Sequence, residues 1–162
     1  MKKSVILTIL IILNFSAYAQ TNDIWTSFYN KDTTLTGFKD KNGTIKIEPK
    51  FNGFTIARKF ENIMAVSEDE NGKWKSYYLT KQGKIVGRDS LYIFDNGPDC
   101  ENEGYIRFKD HKTDKVGIFN KEGKVIIPAE YSTLSNVLNQ LIIVLKDAKK
   151  EREPGDEHFF WN

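Results

Sequence analysis

Between residues 36 and 131 short apolar runs alternate with polar turns, and the alternation itself repeats. Thr36-Gly37-Phe38 runs into the polar turn Asp40-Lys41-Asn42-Gly43 and out again through Ile45 and Ile47. The same order returns at Tyr77-Tyr78-Leu79, Thr80-Lys81-Gln82-Gly83 and Ile85, and again at Gly117-Ile118-Phe119, Asn120-Lys121-Glu122-Gly123 and Val125. Lys41/Lys81/Lys121, Gly43/Gly83/Gly123 and Ile45/Ile85/Val125 keep one spacing of forty residues. A fixed period of this size marks a repeat architecture. Two apolar runs around a polar turn predict a β-hairpin per copy. The turn glycine then supplies the φ > 0 position of a type I turn closed by a G1 bulge.

Pro49 and Pro128 follow the second run, with Phe51 and Tyr131 two or three residues on. Proline cannot donate to a ladder, so the strand is expected to stop there or to lie at an edge. Copy two lacks the proline and carries Tyr77 where the others have glycine, so its hairpin is expected to be less regular. Ile63 to Ser67, Tyr105 to Phe108 and Leu141 to Leu145 read as a further strand closing each copy, with an acidic turn at 68–72. Residues 22–29, with Ile24, Trp25 and Phe28, read as a cap on the first unit, because repeat arrays need an atypical end. Leu134, Val137, Leu138 and Leu141 have helical spacing. The repeat argues against it, since Phe54, Phe94 and Leu134 are forty apart and imply one shared geometry with at most a helical turn.

These residues resemble the bacterial WG-repeat family, whose unit runs Trp-Gly-x-x-(Asp/Asn)-x-x-Gly-x-x-(Ile/Val)-x-Pro-x-(Tyr/Phe). Gly37, Asp40, Gly43, Ile45, Pro49 and Phe51 match in the first copy; Gly117, Asn120, Gly123, Val125, Pro128 and Tyr131 match in the third. Thr36, Ser76 and Val116 stand where the tryptophan would be. The resemblance implies a repeat fold and carries no general activity. The expected architecture is all-β: tandem hairpin repeats of about forty residues, stacked as a short solenoid or an open propeller-like fan. A closed propeller needs at least about four blades, more than these copies supply. Units are placed at 35–74, 75–114 and 115–157, with a partial fourth at 158–162, as in an array that ends inside a unit.

The leader changes the charge balance. Lys2 and Lys3 precede an apolar run from Val5 to Leu13, and Ala17-Tyr18-Ala19 offers a small-x-small cleavage site. Residues 1–19 therefore read as a secretory signal peptide, its core too short to span a bilayer. Cleavage between Ala19 and Gln20 would deliver residues 20–162 to the periplasm or the medium, not embedded in a membrane. With Lys2 and Lys3 gone, 22 basic residues face 22 acidic ones, which leaves no electrostatic footprint for nucleic acid. Cys100 is the only cysteine, so no internal disulfide can form; a buried thiol or an intermolecular bridge remains.

Catalytic patterns are missing. His111 and His158 have no zinc spacing, no Gly-x-Ser-x-Gly elbow is present, and no cofactor is implied. Residues 95–104 gather Asp95, Asp99, Glu101 and Glu103, which can be read as oxygen ligands for a hard cation, as the acids of a small secreted hydrolase, or as a polar excursion between strands. The aromatics Phe51, Phe54, Phe94 and Tyr131 recur at equivalent places and read as core. Tyr77, Tyr78, Tyr92, Phe159, Phe160 and Trp161 fall outside the period. Of these Tyr77, Tyr92 and Trp161 are the candidate contacts for a peptide or glycan. The leading expectation is an exported non-enzymatic module that binds protein, peptide or glycan; the alternatives are that hydrolase and a structural remnant of a longer repeat protein. The tail 159–161 is expected to fold back or to pair with a second copy.

Overall fold

The computed structural model describes residues 23–52, 57–94, 97–155 and 159–162. Residues 1–19, read above as a signal peptide, and Phe54, Asp95 and His158 lie outside them. Among the described residues the chain is all-β, built of antiparallel hairpins with no helix.

Three meanders repeat along the chain. The first joins β1 (Trp25–Tyr29), β2 (Leu35–Lys39) and β3 (Ile45–Asn52). After the short β4 (Lys59–Phe60) the second joins β5 (Ile63–Glu70), β6 (Lys73–Thr80) and β7 (Ile85–Val86). A small hairpin, β8 (Ile93–Phe94) and β9 (Gly97–Pro98), leads to the third, β10 (Tyr105–Asp110), β11 (Lys115–Asn120) and β12 (Val125–Tyr131). The strands expected to close the first two copies in fact open the next. From Ile63↔Thr80 to Glu70↔Lys73, β5 pairs with β6 along its whole length, but meets β3 only at Phe51↔Glu68. Trp25–Tyr29, read as a cap, is the leading strand of the first meander and pairs with β2 from Thr26↔Lys39 to Tyr29↔Thr36. The acidic turn is shorter than expected, because β5 runs on to Glu70 and turns at Asn71-Gly72, both with φ > 0. That is the Asn-Gly signature of a tight hairpin.

The polar turns are as the glycines predict. Gly43, Gly83 and Gly123 have φ of 84°, 82° and 68°. Each donates its N–H to the carbonyl three residues back, on Asp40, Thr80 or Asn120. Asp40 Oδ1 also accepts from the N–H of Asn42 and Thr44, and Asn120 Oδ1 from Glu122 and Lys124. Thr80 Oγ1 accepts only from Lys84. A side chain at a left-handed position costs about 1 kcal/mol or more. A Cβ on Gly43 would meet nothing, but one on Gly123 would lie 3.1 Å from Val86 and 3.2 Å from Thr80 of the preceding turn. Gly123→Ala is therefore expected to lower the urea midpoint more than Gly43→Ala, and Lys124→Ala to leave it nearly unchanged.

Proline does not end its strand. In β3 the pairing jumps from Phe38↔Ile47 to Thr36↔Phe51, and in β12 from Ile118↔Ile127 to Val116↔Tyr131. In both, an extra pair of residues containing Pro49 or Pro128 bulges across the glycine opposite, and the strand then resumes. A Cβ on Gly37 would lie 2.5 Å from the Ile47 carbonyl oxygen, and one on Gly117 2.6 Å from that of Ile127. Glycine, proline and the following aromatic thus form one device. Copy two lacks all three, and its β7 stops at Val86, before reaching Tyr77.

The stacking follows from strand alternation, which sends neighbouring side chains to opposite faces. Met64, Val66, Tyr77 and Leu79 point toward the first meander and pack with Phe38, Phe51 and Phe60. Their neighbours Ile63, Ala65 and Tyr78 point the other way, to Ile106 and Phe119 of the third. The first two meanders belong to one seven-stranded sheet, so their shared core requires that sheet to curl on itself. Beyond the third meander, Val116 and Ile118 are covered by Leu134 and Tyr92. The helical spacing at 134–141 forms no helix: β13 (Thr133–Leu134) pairs with β14 (Val144–Leu145), and residues 138–141 make a tight turn. The tail folds back on its own chain, β15 (Lys150–Glu151) pairing with β16 (Phe160–Trp161).

Glu68 links this core to pH. Tyr77 Oη donates to its Oε1 at 2.7 Å, and Lys50 Nζ lies 3.1 Å from its Oε2. Burial pushes the Glu68 carboxyl up, but the Tyr77 and Lys50 bonds outweigh it and hold it below its ordinary value. A carboxyl depressed on folding adds stability above its unfolded pKa and loses it as pH falls through the folded one. Tyr77→Phe should therefore cost about 1 to 2 kcal/mol near neutrality. The gap to wild type should narrow in melts taken below pH 4, as Glu68 protonates.

Candidate functional site

The acidic excursion is a set of braces. Asp99, Glu101 and Glu103 alternate along the chain, and each carboxylate serves a different element. Asp99 is nearly buried with Arg107: its Oδ1 accepts from Nη2 at 2.6 Å, and its Oδ2 accepts from Nε at 3.1 Å and from the Arg107 backbone N–H at 2.9 Å. Arg107 Nη1 donates to the Leu134 carbonyl at 2.8 Å, and the guanidinium lies 4.5 Å from the Tyr92 ring centre. Burial pulls the Arg107 pKa down, but the Asp99 bond and charge more than reverse it. Glu101 accepts from the N–H groups of Asn62 and Ile63 and from Asn62 Nδ2, fixing the start of β5. Glu103 accepts from the N–H groups of Asn139 and Gln140 at 2.8 and 2.9 Å. Among the described residues no group of three or more His, Cys, Asp or Glu is placed to hold a metal ion.

Glu103 braces the turn that stands out on the surface. Asn139 and Gln140 both have φ > 0, at 52° and 62°, a conformation that costs non-glycine residues energy and persists where the surroundings impose it. Leu138 and Leu141 exchange backbone bonds across the turn, and neither side chain turns inward. Leu138 is 67% exposed, Leu141 73% and Ile143 73%. With Val137, Ser135, Asn136 and Asn102 they line a groove of about 610 Å³. On its other side β14 is fixed by β13, with the Ser135 N–H donating to the Ile143 carbonyl and the Ile143 N–H to Ser135 Oγ. Large aliphatic side chains are thus held in water by a hydrogen-bonded frame.

Tyr77 and Tyr92, expected as ligand contacts, lie in the core. The Tyr77 hydroxyl is spent on Glu68, and the Tyr92 ring is packed under Arg107. Tyr78 is buried as well: its hydroxyl donates to the Arg107 carbonyl at 2.7 Å and accepts from the Tyr92 N–H at 3.0 Å. Burial pushes both the Tyr78 and Tyr77 phenols far above their usual value. Trp161 is half-buried, edge-on to Phe159, with Lys150 Nζ 5.1 Å from its ring centre. Phe94, read as core, is exposed, whereas Leu134 forty residues on is buried; the two linkers fold differently despite the period. Cys100 is exposed and unpaired. The apolar turn escaped sequence reasoning because no glycine marks it and because its leucines fall at helical spacing.

A second depression, of about 500 Å³, runs between Arg88 to Ser90 and Lys109 to Lys112, floored by Phe108. Phe108 stacks on Phe119 with ring centres 4.2 Å apart.

No curated protein and no solved structure matches the chain. Residues 117–149 match the family model described as WG containing repeat, a stretch running from the glycine opposite the β12 bulge through the apolar turn. Residues 117–149 are thus similar to a WG repeat, and the bulge-over-glycine device within them is built in full a second time at Gly37.

Proposed function

We propose that the chain is an exported, non-enzymatic binding module that takes another polypeptide on the apolar turn at 138–143. The observation that carries this reading is the exposure of Leu138, Leu141 and Ile143 on a turn whose strained backbone is held by Glu103. Exposed apolar surface of this kind, rimmed by polar groups such as Asn102 and Asn136, favours protein contact. A polypeptide fits better than a glycan, because the exposed side chains are aliphatic and offer no ring platform, and two of the three candidate aromatics are internal. The hydrolase reading is disfavoured by the use of Asp99, Glu101 and Glu103 as braces.

The test uses a photo-reactive residue at position 141 in the full chain, expressed in its own host. A discrete cross-linked polypeptide is expected, absent when the probe stands at Thr113. Leu138→Ser/Leu141→Ser/Ile143→Ser should abolish the cross-link from a probe placed at Asn136 while leaving the melting temperature within about 2 °C, since exposed positions contribute little to stability. An unchanged cross-link in the triple variant would refute the proposal.

A further inference from the structure

The second meander lacks the bulge device, and its absence leaves a strand edge open. In the first and third meanders the middle strand is covered on this side almost to its far end, by Asn52 opposite Leu35 and Tyr131 opposite Val116. In the second, β7 covers only Tyr78 and Leu79 of the eight residues of β6. The chain then turns away at Gly87, with φ of 56°, and Ser90 Oγ donates to the Gly87 carbonyl at 2.7 Å. One contact back remains, the Asp89 N–H donating to the Ser76 carbonyl at 2.9 Å. Among the described residues no strand pairs with Lys73 to Tyr77 on that side.

The register decides which groups face outward. Glu70↔Lys73 closes the two-residue turn at Asn71-Gly72 and so exchanges backbone bonds, and such pairs recur at every second residue. Lys75 and Tyr77 therefore bond β5, while the N–H and C=O of Trp74 and the N–H of Ser76 point away from it. Only the Ser76 carbonyl is answered. Side chains alternate as well. Trp74 and Ser76 share the face of Tyr78, toward the third meander, where Asp89 beside Ser76 lines the depression floored by Phe108. Lys73 and Lys75 share the face of Tyr77, over whose ring the Arg88 guanidinium lies at 5.7 Å. Lys75 pairs with Glu70, but among the described residues no ion pair joins Lys73 or Arg88 to a carboxylate.

Open edges invite pairing, and lysine is a common guard against it. Here it guards against a second copy. Two such edges related by a two-fold axis run antiparallel, with Trp74 opposite either Trp74 or Ser76. The first register sets Lys73 against Lys75 and the second sets Lys75 against itself, and like charges directly opposite destabilise. Guarding does not account for Trp74, which is 65% exposed between the two lysines. A large ring beside open backbone groups suits another extended backbone, which answers N–H and C=O in register and places alternate side chains on the two faces.

We infer that the β6 edge from Lys73 to Ser76 takes up an extended segment of another protein as an added antiparallel strand. Its apolar side chains lie beside Trp74 and Ser76, and its acidic ones beside Lys73, Lys75 and Arg88. The surface is separate from the apolar turn at 138–143 and does not depend on it.

The probe is the capped peptide acetyl-Glu-Val-Glu-Val-Glu-amide, whose valines would stand opposite Trp74 and Ser76. In that register the valine amides point at β6 and the glutamate amides point away. N-methylation of the two valine amides should weaken binding to the full chain at least tenfold, and N-methylation of the glutamate amides less than threefold. Amide exchange at Trp74 and Ser76, followed by NMR, should slow at least tenfold when the unmodified peptide saturates the chain. Trp74→Ser, at an exposed position, should weaken binding at least tenfold with an unchanged melting curve. Leu138→Ser/Leu141→Ser/Ile143→Ser should leave binding unchanged, which separates a failure here from a failure at the apolar turn. No binding by wild type, equal losses from the two methylations, no slowing at Trp74 and Ser76, or equal binding of acetyl-Lys-Val-Lys-Val-Lys-amide would each overturn the inference.

Discussion

Gly117→Ala is expected to destabilise the chain by about 3 kcal/mol, the upper end of what one added methyl costs in a packed interior. The added Cβ would lie 2.6 Å from the Ile127 carbonyl oxygen and 2.6 Å from Phe108 Cζ. The ring can shift, but the carbonyl belongs to the bulge of β12 and cannot move without breaking its ladder. Phe108→Leu in the same chain should therefore recover only part of the loss. At Gly37 the nearest atoms are all backbone, Ile47 O at 2.5 Å and Pro49 N at 2.7 Å, so Gly37→Ala should cost as much and admit no such rescue. Urea unfolding of the three variants decides it. A loss below about 1 kcal/mol at both glycines would mean that the bulge is not where the pairing places it.

Arg107→Met should cost about 3 to 5 kcal/mol, because it leaves the nearly buried Asp99 carboxylate without its charge partner. Only 12% of the Arg107 side chain and 6% of the Asp99 side chain are exposed, so water replaces little of what is lost. The Leu134 carbonyl loses a donor at the same time, which loosens the segment carrying the apolar turn. Asp99→Leu/Arg107→Met, with both charges gone, should recover much of the stability, since exchanging a buried pair for apolar groups is often near neutral. A double variant no better than Arg107→Met, compared by thermal and urea unfolding, would show that the arginine acts through the Leu134 carbonyl and the Tyr92 ring.

The forty-residue period was enough to place the hairpins and the left-handed glycines, because a type I turn with a G1 bulge is a local structure whose requirements are met within five residues. It was also enough for the all-β class and the stacked arrangement. Grouping strands into units needed more. Ile63 to Ser67 follows the first hairpin and precedes the second at similar distance, and nothing in its residues says which neighbour it joins. Length of contact decides that: β5 can align along all of β6 but crosses β3 at one residue pair.

The candidate site shows the same division. The sequence by itself determined which positions repeat, where the turns fall and which stretch gathers carboxylates, since each of these rests on local spacing. It could not determine what the carboxylates touch, because Glu103 meets residues 139 and 140 and Glu101 meets residues 62 and 63 only through the stacking of separate meanders. Nor could it separate buried from exposed aromatics. Tyr77 took its place in the core because the strand that would cross a glycine there ends early, and Leu138 and Leu141 were left in water because a carboxylate from another meander fixed their turn. Burial is a property of which surfaces meet, and that was decided by the tertiary structure.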